Sequence, residues 1–161
     1  MTGSLDPQSM REVMGHFASG VTVVTAVTDD GPIGFTCQSF TSLSLDPPLV
    51  VFAPGRTSRT WPQLRGIGRF CINVLAEGQD AVSQNFARTG VDKFAGMPWT
   101  PSAHGSPVLD DVVAWIDAEL WAEYDGGDHT LAVARVLDLG ADERRRPLLY
   151  HRGEYGLLQE R

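Results

Sequence analysis

Lysine is nearly absent from this 161-residue sequence: twelve of its thirteen basic residues are arginines, and Lys93 is the remaining one. The basic residues are outnumbered by 20 acidic ones, which gives a formal net charge of −7. Such a charge balance argues against a general nucleic-acid binder, which needs positive charge to neutralise phosphates. Any anion site in this protein must therefore rely mainly on arginine guanidinium groups.

Long apolar runs and cysteine are also scarce. No stretch reaches the roughly 18 apolar residues of a membrane-spanning helix, and residues 1–7 lack the pattern of a secretory signal. Cys37 and Cys71 lie within apolar runs, so we expect two buried thiols in a cytoplasmic protein, with a disulfide as the alternative. The 42% apolar content is sufficient for the core of one domain spanning residues 1–161.

Motifs of several enzyme classes are missing. The sequence has no nucleotide-binding Gly-x-x-x-x-Gly-Lys-Ser/Thr loop, no His-Glu-x-x-His and no Cys-x-x-Cys. Gly66-Ile-Gly68 begins like a dinucleotide-binding fingerprint but lacks the third glycine and leads into a predicted strand. No metal-ligand spacing connects the four histidines, so we expect no metal site.

The apolar periodicity predicts a mainly β protein with a few short helices. Capping signals at Asp6 and Ser9 introduce a first helix carrying Met10 to Phe17, which Gly20 is expected to end, and residues 60–66 and 80–87 are also predicted helical. Turn sequences at 29–32 and 125–128 predict two hairpins. The predicted strands are residues 21–27, 33–40, 49–52, 70–74, 113–124, 129–139, 148–150 and 155–158. Six to eight antiparallel strands with few helices favour a β-barrel.

The strand at 113–124 alternates clearly between two faces. Ala114, Ile116, Ala118, Leu120, Ala122 and Tyr124 share one face, whereas the other carries Val113, Trp115, Asp117, Glu119, Trp121 and Glu123. Large aromatic rings on a face with carboxylates indicate a subunit interface. The alternative is a second core layer beneath a helix.

Three segments are candidates for a functional site. Residues 56–60 (Arg-Thr-Ser-Arg-Thr) bring two guanidinium groups and three hydroxyls to the start of a predicted helix, a set that suits phosphate, although a capped helix with surface arginines has the same pattern. Residues 39–44 alternate hydroxyl and apolar side chains, which fits either a ligand-binding edge or the wet face of a strand. At Asp128-His129, the histidine could orient a substrate amide or move a proton, or be purely structural.

These segments occur in an order that resembles the short-chain flavin reductases, the small NAD(P)H-dependent partners of two-component flavin monooxygenases. The resemblance extends from about residue 10 to 157. Its matching stretches are Phe17–Thr25, Gly34–Pro48, Ser58–Trp61, Phe70–Leu75, Asp92–Gly96, Gly127–Thr130 and Pro147–Gly156.

The resemblance implies a split β-barrel of the FMN-binding type, with flavin bound at a homodimer interface. It places the flavin ring and the start of the phosphate path along Thr36, Cys37, Gln38, Ser39, Phe40, Thr41 and Ser42. It assigns the phosphate region to Arg56, Thr57, Ser58 and Thr60, and positions near the ribityl chain and phosphate to Asn85, Phe86, Arg88 and Lys93. His129 is implied to lie beside the nicotinamide, with Arg152 and Tyr155 bordering that pocket.

The expected activity is reduction of free FMN or FAD by NADH or NADPH, through hydride transfer from nicotinamide C4 to flavin N5. The protein then supplies stacking and orientation rather than an acid, base or nucleophile. The reduced flavin is expected to pass to a separate monooxygenase. Two alternatives stay open: a split-barrel oxidase acting on an organic substrate such as a pyridoxine phosphate, and a non-enzymatic module that binds flavin or haem.

Overall fold

A computed structural model describes residues 5–156, and within that range it contains three short helices. These are α1 (Pro7–Met14), α2 (Trp61–Ile67) and α3 (Asp80–Phe86). The Asp6 side chain caps α1 by accepting a hydrogen bond from the Gln8 N–H at 3.1 Å. None of the three is long and apolar enough to cross a membrane.

The first helix ends earlier than the sequence predicts. The Gly15 N–H closes it by donating to the Arg11 carbonyl at 2.9 Å, and a two-residue strand occupies Ser19–Gly20. The prediction that Gly20 ends the helix is therefore wrong, because the chain had already left the helix at another glycine. The predicted helices at 60–66 and 80–87 are confirmed as α2 and α3.

The strands form one large antiparallel sheet and two small ones. The large sheet has seven strands in the order β3-β2-β6-β9-β10-β5-β4. A second sheet has the order β1-β11-β12, and β7 pairs with β8. The strands are β1 (Ser19–Gly20), β2 (Thr22–Thr28), β3 (Gly31–Cys37), β4 (Thr41–Leu45), β5 (Pro48–Phe52), β6 (Arg69–Val74), β7 (Trp99–Pro101), β8 (Pro107–Leu109), β9 (Ala114–Gly126), β10 (His129–Ala141), β11 (Leu149–His151) and β12 (Glu154–Tyr155).

Both predicted hairpins are confirmed. Strands β2 and β3 pair up to the Thr28–Gly31 position, and β9 and β10 pair up to Gly126–His129. The predicted strand 33–40 instead stops at Cys37, and β4 follows at residues 41–45, where a strand was one of the two alternatives for segment 39–44. In the last predicted strand, 155–158, positions 157 and 158 lie outside the described residues.

The order of the strands requires the large sheet to be strongly curled. Strands β3 and β4 follow each other in the chain, yet they occupy opposite edges of the sheet. The link 38–40, which joins β3 to β4, can reach at most about 14 Å. In a flat sheet these two edge strands would lie six strand spacings apart, which is about 29 Å. The two edges must therefore approach each other, although within residues 5–156 no ladder joins β3 to β4.

Apolar side chains form two core clusters. The first gathers Phe35, Phe52, Phe70 and α2 residues Trp61 and Leu64, with their aromatic rings packed edge to face. The second gathers eight buried residues, among them α3 residue Phe86: Val21, Val23, Leu75, Phe86, Phe94, Leu109, Val112 and Leu148. The fold is thus mainly β with few helices, as predicted.

The two tryptophans of β9 have different surroundings. Trp115 packs against the second core cluster and lies over Gly140 of β10, where an added Cβ would come within 2.8 Å of its ring. Trp121 is 51% exposed, with the Arg135 guanidinium 6.0 Å from its ring centre. Trp115 thus matches the core-layer alternative, while Trp121 remains available to a partner.

Candidate active site

A cleft of about 910 Å³ opens where four parts of the fold meet. Its walls are β3, the segment 53–60, the segment from α3 to residue 94, and a corner made by His129 with Tyr150 and Tyr155. This size suits a small-molecule or cofactor site, for which roughly 300–1,000 Å³ is usual.

Most of the predicted site residues line this cleft. They come from separate parts of the sequence and are brought together by the curled sheet and α3. The predicted residues that line it are Thr36, Cys37, Gln38, Ser39, Thr57, Ser58, Thr60, Phe86, Arg88, Lys93, His129 and Tyr155.

Six predicted residues are not brought to the cleft wall. Three belong to the stretch after β3: Phe40 packs against the first core cluster, and Thr41 and Ser42 lie exposed on edge strand β4. For Thr41 and Ser42 the structure thus matches the alternative reading, a strand with hydroxyls on its wet face. The other three residues are Arg56, Asn85 and Arg152.

Arg56, Asn85 and Arg152 have other contacts. The Arg56 guanidinium pairs with Asp125. The Asn85 amide donates to the Lys93 carbonyl at 2.6 Å, so it supports the cleft wall from behind. Arg152 adopts a positive φ of 52° in the β11–β12 turn, and its N–H donates to a carbonyl near α1 at 2.9 Å.

One wall of the cleft is held by a serine bridge. The Ser39 hydroxyl accepts from the Ala53 N–H at 3.0 Å and donates to the Ala53 carbonyl at 3.1 Å, which ties the end of β3 to the segment after β5. The Cys37 sulfur lies 3.3 Å from the same hydroxyl. Burial raises the pKa of the Cys37 thiol, so this cysteine is a neutral wall group rather than a nucleophile.

The segment 57–60 places three hydroxyls at the cleft. The Ser58 hydroxyl accepts from the Trp61 N–H, the first of α2, at 3.1 Å, whereas the N-cap residue Thr60 makes no side-chain capping bond. Arg59 and Gln63 also line the cleft. Both readings of this segment hold in part: Ser58 satisfies the first N–H of the helix, and hydroxyl and guanidinium groups gather at the cavity.

The charge of the cleft is opposite to that of the chain. Among residues 5–156, Arg59, Arg88 and Lys93 line it against a single carboxylate, Asp92, although the whole protein carries a net charge of −7. A cleft of this sign concentrates anions and excludes cations.

Lys93 is held firmly at the wall. Its Nζ donates to the Gly34 carbonyl at 3.0 Å and to the Phe86 carbonyl at 3.1 Å, which joins β3 to the end of α3. Partial burial lowers the pKa of Lys93, because desolvation disfavours its charged form. An ammonium group has three donors, so one remains for a ligand.

His129 begins β10 at the mouth of the cleft, where it bridges to Gly55. Its Nδ1 lies 2.7 Å from the Asp128 carboxylate. A carboxylate only accepts, so Nδ1 carries a proton, and in the neutral form of the ring Nε2 is the acceptor. The hydrogen bond and charge of His129 lower the pKa of Asp128.

The sequence analysis missed several residues of the cleft. Ser83, Tyr150 and Gln63 line it but were not assigned to it, and Arg59, one of the two guanidinium groups of the candidate segment 56–60, was not among the residues assigned to the flavin phosphate. Arg59 and Gln63 adjoin assigned residues, so the anion-binding pattern around 56–60 carried a usable signal for them. Ser83 is an ordinary helix residue in the sequence, and only the packing of α3 on β3 reveals its place.

Comparison with known proteins identifies the family. Residues 14–159 match the model of the flavin reductase like domain. The chain belongs to the flavin reductase-like family. It is 48% identical over 152 residues to the reductase subunit HsaB of a flavin-dependent monooxygenase from Rhodococcus jostii, covering 94% of this chain and 78% of that protein.

Solved structures agree with this membership. The fold superimposes with a TM-score of 0.90 on nitrilotriacetate monooxygenase component B from Mycobacterium thermoresistibile, which is 45% identical, with coverage of 94% of this chain and 86% of that one. It also matches the Streptomyces globisporus NADH:FAD oxidoreductase SgcE6 in complex with NAD and FAD fragments, with a TM-score of 0.90, 32% identity and 98% coverage of both chains. The predicted enzyme class, a flavin reductase using a nicotinamide nucleotide, is confirmed.

The cleft itself fits a flavin nucleotide. Such a ligand combines a flat ring with polar edges and an anionic phosphate. The cavity offers an aromatic wall at Phe35 and Phe86, hydroxyl and amide groups along 36–39, and three cations for the anionic end. No group of three or more metal-ligating side chains occurs in the part of the chain that the structure describes.

Proposed function

We propose that this cleft holds a flavin and NADH together, and that the reduced flavin leaves for a separate monooxygenase. When both are bound, the nicotinamide supplies a hydride equivalent to the flavin ring, and this chemistry belongs to the cofactors. The observation that carries the proposal is the cationic cleft in an acidic protein, lined by residues from five of the seven stretches that resemble the family.

The protein's own groups bind and orient. We assign the flavin ring to the wall 36–39, its anionic end to Ser58, Thr60 and the cations Arg88 and Lys93, and the nicotinamide to the corner of His129 and Tyr155. Arg59 replaces Arg56 in this assignment, because Arg56 is paired with Asp125 away from the cleft. Holding two rings in contact lowers the barrier by restricting their relative motion.

His129 is proposed to orient the nicotinamide carboxamide. Asp128 fixes the ring's tautomer, which leaves Nε2 to accept from an amide N–H. Since no proton transfer is required of it, His129→Ala should raise the KM for NADH several-fold and retain measurable turnover. Loss of all turnover with flavin binding intact would contradict this role.

We also propose that the chain is a homodimer of split barrels. The curled sheet whose edges approach without pairing supports the split barrel. Apolar side chains left exposed support the dimer: Phe17 is 85% exposed, Leu45 91% and Trp121 51%, and the apolar face of α1 buries no residue. The two buried free thiols support a cytoplasmic location.

Sedimentation equilibrium tests the dimer. The native chain should sediment at twice its 17.5 kDa mass, and Phe17→Glu should shift the equilibrium towards monomer. If the native chain is monomeric at micromolar concentration, the proposed dimer is refuted, and the proposed activity is unaffected by that result.

The decisive experiment on the activity is anaerobic. Purified protein is mixed with FMN or FAD and then NADH or NADPH, and flavin bleaching is followed near its visible absorption band. Flavin-dependent NADH oxidation is expected, and the comparison of the four pairs selects the preferred nucleotides. A protein that binds flavin but never bleaches it with either nucleotide would overturn the proposal in favour of a storage module.

A further inference from the structure

The buried serine of α3 makes two contacts that cross the cleft wall. The Ser83 carbonyl accepts from the Thr36 hydroxyl of β3 at 2.6 Å, and the Ser83 hydroxyl lies 2.8 Å from the Tyr155 phenol oxygen of β12. The side chain is 1% exposed although the residue belongs to the cavity wall. Ser83 therefore joins three separate elements at one point of the cleft.

Counting protons assigns a direction to the serine–tyrosine hydrogen bond. Two hydroxyls share one bond, so one donates and the other accepts. Within residues 5–156 the Ser83 hydroxyl has no other hydrogen-bond partner. A buried hydroxyl proton without an acceptor is unfavourable, so the stable arrangement has Ser83 donating to Tyr155.

The phenol proton is then free to point elsewhere. Tyr155 is only half-buried and lines the cleft, so its O–H can be satisfied by a ligand or by water. The ring is held edge-on against Tyr150, its cross-strand partner, with 5.1 Å between the ring centres. The phenol oxygen therefore has a fixed position as well as a fixed acceptor role towards Ser83.

We infer that Ser83 is a positioning residue which makes the Tyr155 phenol a hydrogen-bond donor directed into the cleft. The acceptor would be a carbonyl oxygen of one of the two heterocycles, either on the flavin ring or in the nicotinamide carboxamide. This inference rests on the proposed function, because it presumes that those rings occupy the cleft.

A double-mutant cycle tests the inference with FMN and NADH as probes. Tyr155→Phe removes the donor and keeps the ring, while Ser83→Ala removes the group that orients it. Tyr124→Phe and Ser106→Ala are matched controls, since Tyr124 is exposed on β9 and Ser106 is buried near β8, both away from the cleft. Thermal unfolding of each variant separates folding defects from changes in KM.

Tyr155→Phe loses one neutral hydrogen bond, which should raise the KM for one of the two substrates, FMN or NADH, about 3- to 10-fold. The change in kcat should be smaller. Ser83→Ala should raise the same KM by a smaller factor, and it should add nothing in the Tyr155→Phe background. The KM that rises identifies the ring that accepts the bond. A purely structural Ser83 would instead give additive effects, or a lower melting temperature with both KM values unchanged, and either result overturns the inference.

Failure of the inference and failure of the proposed function are distinguishable. If the native protein turns over but the cycle is additive, the phenol is not oriented by Ser83. If the native protein does not reduce flavin at all, the proposed function fails first, and the cycle has no activity to measure.

Discussion

The hydrogen bond between His104 and Asp117 allows a quantitative prediction about stability. Asp117 is completely buried in β9, and its Oδ2 lies 2.8 Å from Nδ1 of His104 in the β7–β8 turn. Its Oδ1 has no hydrogen-bond partner among residues 5–156. His104→Ala should therefore leave a buried carboxylate without a hydrogen-bond partner.

The size of the effect follows from the burial of the two partners. Leaving a buried polar group without its hydrogen-bond partner costs about 1–3 kcal/mol, and more when the group is charged. The His104 side chain is 32% exposed, so water can reach the truncated site, and for the buried Asp117 carboxylate we expect about 3 kcal/mol. For a domain of this size, that loss lowers Tm by about 6–12 °C.

Urea unfolding followed by tryptophan fluorescence measures the change in the free energy of unfolding. Asp117→Asn in the His104→Ala background is the control, because it removes the buried charge and should recover most of the lost stability. A loss below about 1 kcal/mol in His104→Ala, or no recovery in the double variant, would refute the argument from the buried charge.

Three other outcomes concern the cleft and the thiols. Gly34→Ala places a Cβ 2.9 Å from the Val24 carbonyl and 3.1 Å from the Phe86 ring, so α3 must shift. The affinity for flavin should therefore fall several-fold in a fluorescence titration. Gly66→Ala is the control, because its added Cβ has nothing within 4 Å and should leave the flavin affinity unchanged. Burial lowers the pKa of Lys93 below the usual lysine pKa of about 10.4. Lys93 therefore loses its positive charge at a lower pH than an exposed lysine does. FMN binding should weaken over that alkaline range, and a Lys93→Arg variant with the same pH dependence would exclude this cause. Both cysteines are buried with raised pKa values, so an aromatic disulfide reagent should modify them only after unfolding, and rapid reaction of the native protein would contradict their burial.

The sequence predicted the strands that form the interior of the fold. Alternation over residues 113–124 and the turn at 125–128 specify the β9–β10 hairpin, because every second side chain must reach the core. The sequence left β4 undecided between a strand and a ligand-binding edge, and in the structure Leu43 and Leu45 of this edge strand are exposed. Because neither face of β4 is deeply buried, its side chains carry no hydrophobic alternation that would identify a strand.

The candidate site was predictable where its residues are contiguous and much less so where it is assembled by packing. The segments 36–39 and 57–60 each contain several lining residues, and their composition indicates ligand binding. Arg56 has the same composition signal, yet a distant carboxylate in the β9–β10 hairpin pairs with it. The pairing of Ser83 with Tyr155 crosses 72 positions of sequence, a distance at which local patterns carry no information.

The three-residue link from β3 to β4 controls more than chain connectivity. Gln38 and Ser39 belong to the tether that brings the sheet edges together, and both also face the cavity. Sheet curvature and the aperture of the binding site are therefore mechanically coupled, since the edges cannot separate while so short a tether spans them. A glycine inserted there would let the two sheet edges separate and would widen the mouth of the cleft. The length of this loop therefore sets the size of the ligand that the cleft admits.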